Sequence, residues 1–255
     1  LSSIFFVDVD VELQMLYLYR LLLLCLCFSS IHAWADCRDL GILVLRSSAV
    51  SKSVYQPYLE NDCVREANLS FAEVDYNPLT ANQLRDLRMI QAVAEEAAKA
   101  SSRGLIVFAY SEAGKFAAKL ASLNSHVKAL FLMDPVDGTP PFSSPRRFPI
   151  FLDEKFPVLK IPTTVLESEL GSKFKRFGYS CVPEDMGPKR FYRHVESSYL
   201  NKVVLEGLGH SDFLRREKTS LVELVCGKGV VPHDEALARI LEHWRAFLVL
   251  TAQQL

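Results

Sequence analysis

The sequence is short of most features that assign a chain by composition alone. It has no excess of charge of one sign: 29 Lys and Arg stand against 30 Asp and Glu, a formal net of −1, so nothing drives it onto a nucleic acid. Its longest apolar stretches fall well short of the roughly 20 residues that a helix needs to cross a bilayer core. Glycine (11) and proline (12) are too few for collagen-like or low-complexity sequence. Neither a Gly-rich dinucleotide fingerprint nor a phosphate loop follows any apolar run, which counts against a nucleotide enzyme. No CxxC pair or Cys/His spacing points to a metal, and no metal or organic cofactor is expected. What is abundant is apolar sequence, 49% of 255 residues, enough for one large α/β core.

Much of that hydrophobicity lies before residue 36. The first methionine is Met15, followed by Arg20, the apolar run Leu21–Phe28, and a polar stretch ending in Ala33-Trp34-Ala35. Small residues three and one before a cut are what signal peptidase accepts, and the three-part layout is that of a secretory signal rather than a buried strand or helix of the domain. Residues 1–14 are then upstream sequence, 15–35 a signal peptide and 36–255 the folded domain, sent to the endomembrane system or secreted, with no transmembrane helix in the mature chain. Four cysteines remain after the cut: Cys37, Cys63, Cys181 and Cys226. In an oxidising compartment they allow two disulfides in three connectivities, of which Cys37–Cys63 with Cys181–Cys226 is a working choice that spacing does not dictate. Asn68-Leu69-Ser70 is a glycosylation sequon at the start of an apparent strand.

Beyond Asp36, apolar runs alternate with helical patterns. Strands are expected at Leu40–Leu45, Leu69–Tyr76, Gly104–Tyr110, Val127–Met133, Thr163–Leu166 and Lys202–Leu205. Helices are expected over Thr80–Ala100, with Thr80 as N-cap and Leu84, Leu87, Ile90, Val93, Ala94 and Ala97 on the apolar face, over Glu112–Leu123, and over Ala236–Leu248. Strands spaced by helices argue for a mostly parallel sheet covered on both faces, and such sheets collect functional residues at the carboxyl ends of their strands. The residues to inspect are therefore Arg46-Ser47-Ser48, Asp75, Ser111, Asp134, Glu167 with Glu169, and Gly209-His210.

Ser111 lies in Ala109-Tyr110-Ser111-Glu112-Ala113, between a strand and a helix. This is the context of a nucleophile elbow, G-x-S-x-G, whose tight turn demands small residues two before and two after the serine. Alanine stands at both places, and a serine ahead of an alanine-rich helix is also a common N-cap. The order of the other residues separates the two readings. Asp134 follows the next strand and His210 the last one, giving Ser…Asp…His, the order of α/β-hydrolases. A serine hydroxyl becomes a nucleophile when a histidine takes its proton, and a carboxylate sets that histidine's tautomer. Of the six histidines, only His210 sits on a glycine-containing loop directly after a strand. Glu167, like Glu169, is an alternative acid, because it follows the strand after Asp134, where many α/β-hydrolases keep their acid, and Asp134-Pro135 is also a common turn start.

Several stretches resemble the chlorophyllase family of α/β-hydrolases. Ser111-Glu112-Ala113-Gly114-Lys115 resembles its S-R-G-G-K. Asp134-Pro135-Val136-Asp137-Gly138, with Thr139-Pro140-Pro141 behind it, resembles its D-P-V-D-G and T-P-P. Cys181-Val182-Pro183-Glu184 with Phe191-Tyr192, Gly209-His210-Ser211-Asp212-Phe213-Leu214 and Cys226-Gly227-Lys228-Gly229 are similar to its C-A-P-x with F-Y, G-H-x-D-M-L and C-K-N-G. Together they span about Leu40 to Leu248. The resemblance implies an α/β-hydrolase fold and a triad of Ser111, Asp134 and His210, with Asp134 preferred over Glu167. It implies hydrolysis of chlorophyll's phytyl ester to chlorophyllide, an apolar small-molecule substrate, and a plastid as the alternative location. The loop 137–149 would border the pocket. An esterase or lipase on another lipid-like ester, or an impaired hydrolase that binds a tetrapyrrole or lipid, are the competing functions.

Two departures stand out. The elbow glycines are Ala109 and Ala113, and the family's H-G-F after the first strand is Arg46-Ser47-Ser48. An oxyanion hole would use the backbone N–H of Glu112 and of Ser47. Glu112 also puts a carboxylate beside the nucleophile. For the signal reading, mass spectrometry of the mature N-terminus should find Asp36; an intact Met15 end would remove it.

Overall fold

The structure is a computed structural model and describes residues 37–48, 50–75, 81–138, 146–173, 180–215 and 226–255. The signal segment, Thr80 and Thr139-Pro140-Pro141 lie outside the described residues. Among the described residues six strands form one sheet: β1 (Gly41–Ser47), β2 (Asn68–Val74), β3 (Leu105–Tyr110), β4 (Val127–Met133), β5 (Thr163–Ser168) and β6 (Leu200–Leu205). Their order is β2-β1-β3-β4-β5-β6, and every neighbouring pair is parallel. The helices among the described residues are α1 (Gln56–Leu59), α2 (Asp62–Glu66), α3 (Gln83–Lys99), α4 (Ala113–Leu123), α5 (Pro188–Tyr192) and α6 (His233–Gln254).

The expected strands are all present, with ends shifted by a few residues. β5 continues past Leu166 because Glu167 and Ser168 still pair with Val204 and Leu205. α3 begins at Gln83, where the side chain of Asn82 accepts from Arg85 N. Leu84 leaves the expected apolar face: it is half exposed, while its neighbour Gln83 is fully buried. The first turn of the helix is thus set by a polar contact of Gln83 (described below) and not by the hydrophobic stripe.

The two faces of the sheet follow from period-two alternation within the strands. Val107, Ala109, Leu130 and Leu132 join Leu87, Ile90, Ala94 and Ala97 of α3 and Phe116, Ala117 and Leu120 of α4 in one apolar cluster. The intervening Phe108 and Phe131 face the other way. There Phe108 lies 5.0 Å from both Tyr58 and Trp244, and Phe131 lies 4.9 Å from Trp244 and 5.2 Å from Phe247. Trp244 also donates its indole N–H to Tyr58 O at 3.1 Å, which gives its one polar atom a partner. Tyr58 in turn donates to Phe213 O at 2.5 Å, so this aromatic layer reaches the segment that carries His210.

Disulfides join Cys37 to Cys63 and Cys181 to Cys226, with Cα–Cα distances of 5.1 and 5.2 Å. The first ties the entry to β1 to α2, and the second links two segments near the carboxyl end of the sheet. Asn68 opens β2, and its amide nitrogen, the atom a glycan would take, donates to Ala100 O at 2.6 Å.

Strand order reverses between β1 and β3, because the chain leaves β1 outward to β2 and returns across it to β3. The crevice at such a reversal, at the carboxyl ends, is where ligands meet an open α/β sheet. Ser47 ends β1 there, and Ser111 follows β3. Because Trp244 fills the far side of this sheet, Trp244→Ala should cost about 3–5 kcal/mol in a urea titration.

Candidate active site

Ser111 sits between β3 and α4 with φ +55°, in the left-handed region that only a constrained turn imposes on a non-glycine residue. Neighbouring backbone holds it there. Ser111 N donates to Met133 O at 2.9 Å, and Ser111 O accepts from Gly114 N (2.9 Å) and Val136 N (3.0 Å). Ala109 and Ala113 are both fully buried, so the methyl groups fit where the elbow pattern has glycine. The position with no room for a side chain is Gly114: a Cβ there would lie 2.5 Å from Pro135 Cβ.

Asp134 leaves β4 with φ +44° and is completely buried. Its N–H donates to Leu166 O at 2.7 Å. His210 begins a short 3-10 turn, His210–Phe213, and is 2% exposed. The imidazole bridges the other two residues: Nδ1 is 2.7 Å from Asp134 Oδ2 and Nε2 is 2.9 Å from Ser111 Oγ. The sequence candidates Ser111, Asp134 and His210 are therefore brought together in one hydrogen-bonded line. Glu167 is not part of it, for its carboxylate accepts from Tyr192 OH at 2.7 Å. Glu169 accepts from Gly207 N and pairs with Lys173, which holds its carboxyl below the usual range. Asp75 meets Asp86 through its backbone N–H, at the end of β2.

The histidine is fixed from three sides. Tyr110 stacks on the ring at 4.8 Å between centroids and donates its hydroxyl to His210 O at 2.9 Å. Burial pushes the Tyr110 hydroxyl well above its ordinary pKa, so it stays a donor. Asp212 accepts from Gly209 N (2.8 Å) and Gly229 N (2.6 Å), and Ser211 Oγ donates to Gly227 O at 2.7 Å. The Cys226-Gly227-Lys228-Gly229 segment is thus the floor under the histidine turn. Neither the support from Tyr110 nor that from Ser168, which hydrogen-bonds Asp134, is marked by any sequence pattern; both depend on strand alignment.

Arg46 and Glu112, the charged residues that stand near the nucleophile in place of the family pattern, have local explanations. Arg46 is drawn to Glu73, its register partner on β2, and donates to Val50 O at 3.0 Å. Glu112 turns its carboxylate inward, where Oε1 accepts from Gln83 Nε2 at 2.7 Å and meets Lys115 Nζ at 3.1 Å. Burial raises the pKa of Glu112 and lowers that of Lys115. Both shifts oppose charging, and the pair survives because each partner offsets the other. The backbone N–H of Glu112 opens α4, where first-turn N–H groups have no acceptor within the helix. At β1, Gly41 N reaches Gly104 O on the β3 side and Ser48 N reaches Val74 O on the β2 side. Strand alternation then points the N–H of Ser47 towards β3 and Ser111.

Lys115 and Asp137 also gather the ends of the loop that leaves this site. Lys115 Nζ donates to Gly138 O at 3.1 Å and Pro149 O at 3.0 Å. Asp137, fully buried, accepts from Phe151 N and Leu152 N, both at 2.8 Å, and pairs with Arg190 at 3.1 Å. Every residue of Asp134-Pro135-Val136-Asp137-Gly138 thus makes a specific contact, which accounts for the motif. Among the described residues, no three His, Cys, Asp or Glu side chains gather as a metal site, and no helix is long and apolar enough to cross a membrane.

A parallel sheet with a serine on the strand-to-helix turn and a histidine after the last strand defines an α/β-hydrolase. The family model described as Chlorophyllase matches residues 67–248, and the chain belongs to the chlorophyllase family. No curated protein matches its sequence closely. Among solved structures it is similar to the ferulic acid esterase from Streptomyces cinnamoneus, at 14% identity over 83% of this chain and 66% of that chain, TM-score 0.55. The chain therefore spans just under two thirds of that esterase. It is also similar to a structure described with LipS and LipT, two metagenome-derived lipolytic enzymes (12% identity, 81% and 95% covered, TM-score 0.52). Est1E from Butyrivibrio proteoclasticus matches at 13% identity, with 85% and 89% covered and a TM-score of 0.51. At these identities the likeness is one of fold.

The buried pair gives a direct test. Lys115→Met leaves Glu112 buried without its counter-ion and should cost about 3–5 kcal/mol of stability. Adding Glu112→Gln should recover the share due to the unpaired carboxylate in the same denaturant titration, but not the share due to the lost donors to Gly138 O and Pro149 O.

Proposed function

We propose that this chain is a serine carboxylic-ester hydrolase that cleaves the phytyl ester of chlorophyll through Ser111, His210 and Asp134. The observation that carries the reading is the imidazole of His210, within hydrogen-bond reach of Ser111 Oγ at one nitrogen and Asp134 at the other. Asp134 accepts from Nδ1–H, which leaves Nε2 unprotonated and facing the serine hydroxyl. Nε2 takes the proton as Ser111 Oγ attacks the ester carbonyl, and the imidazolium is stabilised by the Asp134 carboxylate. The carbonyl oxygen, now an anion, accepts from the N–H groups of Glu112 and Ser47. His210 then returns the proton to the departing alcohol, leaving an acyl ester on Ser111. Water, deprotonated by the same nitrogen, releases the acid.

Family membership favours chlorophyll as the substrate, with chlorophyllide and phytol as products. Arg46 and Glu112 are each held by an ion pair, and this favours an active enzyme over a hydrolase fold kept only for binding. An esterase on another lipid-like ester is the second reading, because Arg46-Ser47-Ser48 replaces the family's H-G-F beside the site. We place the protein in the secretory or endomembrane system; the two disulfides support an oxidising compartment.

Purified protein should release chlorophyllide from chlorophyll and p-nitrophenol from a short acyl ester. Ser111→Ala and His210→Ala should each lower the rate by about 10⁴-fold or more, and a fluorophosphonate probe should label Ser111 alone. Hydrolysis of the short ester without chlorophyllide would select the second reading. Equal rates for wild type and Ser111→Ala would end both.

A further inference from the structure

The acid of the site has a second partner that the triad reading does not use. Asp134 Oδ2 accepts from His210 and also from Ser168 Oγ, at 2.5 Å, while Oδ1 accepts from Ser168 N at 3.0 Å. One residue thus holds both carboxylate oxygens. Ser168 is the last residue of β5 and is 3% exposed. Its backbone position is set by the pairing Ser168↔Leu205 with β6.

The hydroxyl has little freedom to turn elsewhere. Gly171 packs directly on it: a Cβ at Gly171 would lie 2.1 Å from Ser168 Oγ and 2.9 Å from Asp134 Oδ2. The loop carrying Gly171 is pinned in turn, because Ser180 Oγ donates to Gly171 O at 2.9 Å. Asp134 needs such a hold. With φ +44° its backbone sits in a sparsely populated region, so side-chain aim depends on the carboxylate's partners. Without the Ser168 hydroxyl, only the backbone N–H of Ser168 and the imidazole itself would direct the carboxylate.

We infer that Ser168 is a positioning residue for the triad: its hydroxyl aims the Asp134 carboxylate at His210 Nδ1, and Gly171 confines that hydroxyl. This rests on the reading of Ser111, His210 and Asp134 as the triad. The hydroxyl is hydrogen-bonded to Asp134 and not to Ser111, so it acts through the acid, as a hydrogen bond to a charged group whose loss weakens the orientation of that acid.

The test is a double-mutant cycle of wild type, Ser168→Ala, Asp134→Ala and the double variant, each checked for folding by circular dichroism. With a short p-nitrophenyl ester, Ser168→Ala should lower kcat roughly tenfold with KM within about twofold. In the Asp134→Ala background the same change should have no further effect, because there is no carboxylate left to aim. A structural role would reduce the rate by the same factor in both backgrounds, and that result would overturn the inference. A second readout does not need turnover: the proton NMR signal of His210 Nδ1–H should lie far downfield in wild type and move upfield or broaden away in Ser168→Ala. An unchanged signal would overturn the inference whether or not the protein hydrolyses esters. If wild type is inactive yet the signal shifts, the triad reading fails and the positioning of Asp134 stands.

Discussion

The arrangement of the carboxyl end of the sheet depends on the hydrogen bond between Asp134 and His210. Asp134 is fully removed from water, and a carboxylate there is tolerable only with partners on both oxygens. Those partners come from β5 and from the turn after β6, so three segments distant in sequence must converge before the charge can be buried. Convergence brings Leu166 O to the Asp134 N–H and sets His210 over Ser111. The left-handed backbone at Ser111 and Asp134 is maintained by the same contacts. The strain at these two residues and the buried charge are thus stabilised by one network, and loss of any partner reaches the others.

The large features of this design could be read from the residues alone, because burial writes itself as pattern. Continuous apolar runs such as Leu105–Tyr110 announce strands covered on both faces, and the Ser…Asp…His order follows from where those strands end. The identity of the acid was less legible. Asp134 follows β4 and Glu167 lies one residue from the end of neighbouring β5, and which side chain meets the imidazole depends on local direction. The turn at Asp134 aims one inward, while Tyr192 draws the other away. Polar contacts within the core left no pattern at all. Gln83 is buried beside exposed Leu84 because Glu112, a distant residue in sequence, offers it an acceptor. Ser168 is one serine among many until the sheet places its hydroxyl against Asp134.

The departures from the family pattern show how much of a motif is chemistry and how much is space. The elbow needs room for a tight turn, and two buried alanines provide it once the closest approach falls at Gly114 against Pro135. Glu112 changes the charge next to the nucleophile, yet its carboxylate is turned inward and neutralised by Lys115 three residues along the same helix. In both cases the backbone geometry that the chemistry requires is kept while the side chains around it vary.

The clasp formed by Lys115 and Asp137 has an evolutionary consequence. Both ends of the stretch between Gly138 and Pro149 are fastened to the elbow helix and to each other by buried polar contacts. Once its ends are fixed, each doubling of a loop's length costs only about 0.6 kcal/mol of closure entropy. Length changes in the middle of that stretch, away from buried Phe148 and from Arg147 O, which accepts from Gln83 N, should therefore have little mechanical effect on Ser111. In such a molecule the chain between the two clasped ends can vary in length while the reacting atoms stay where they are.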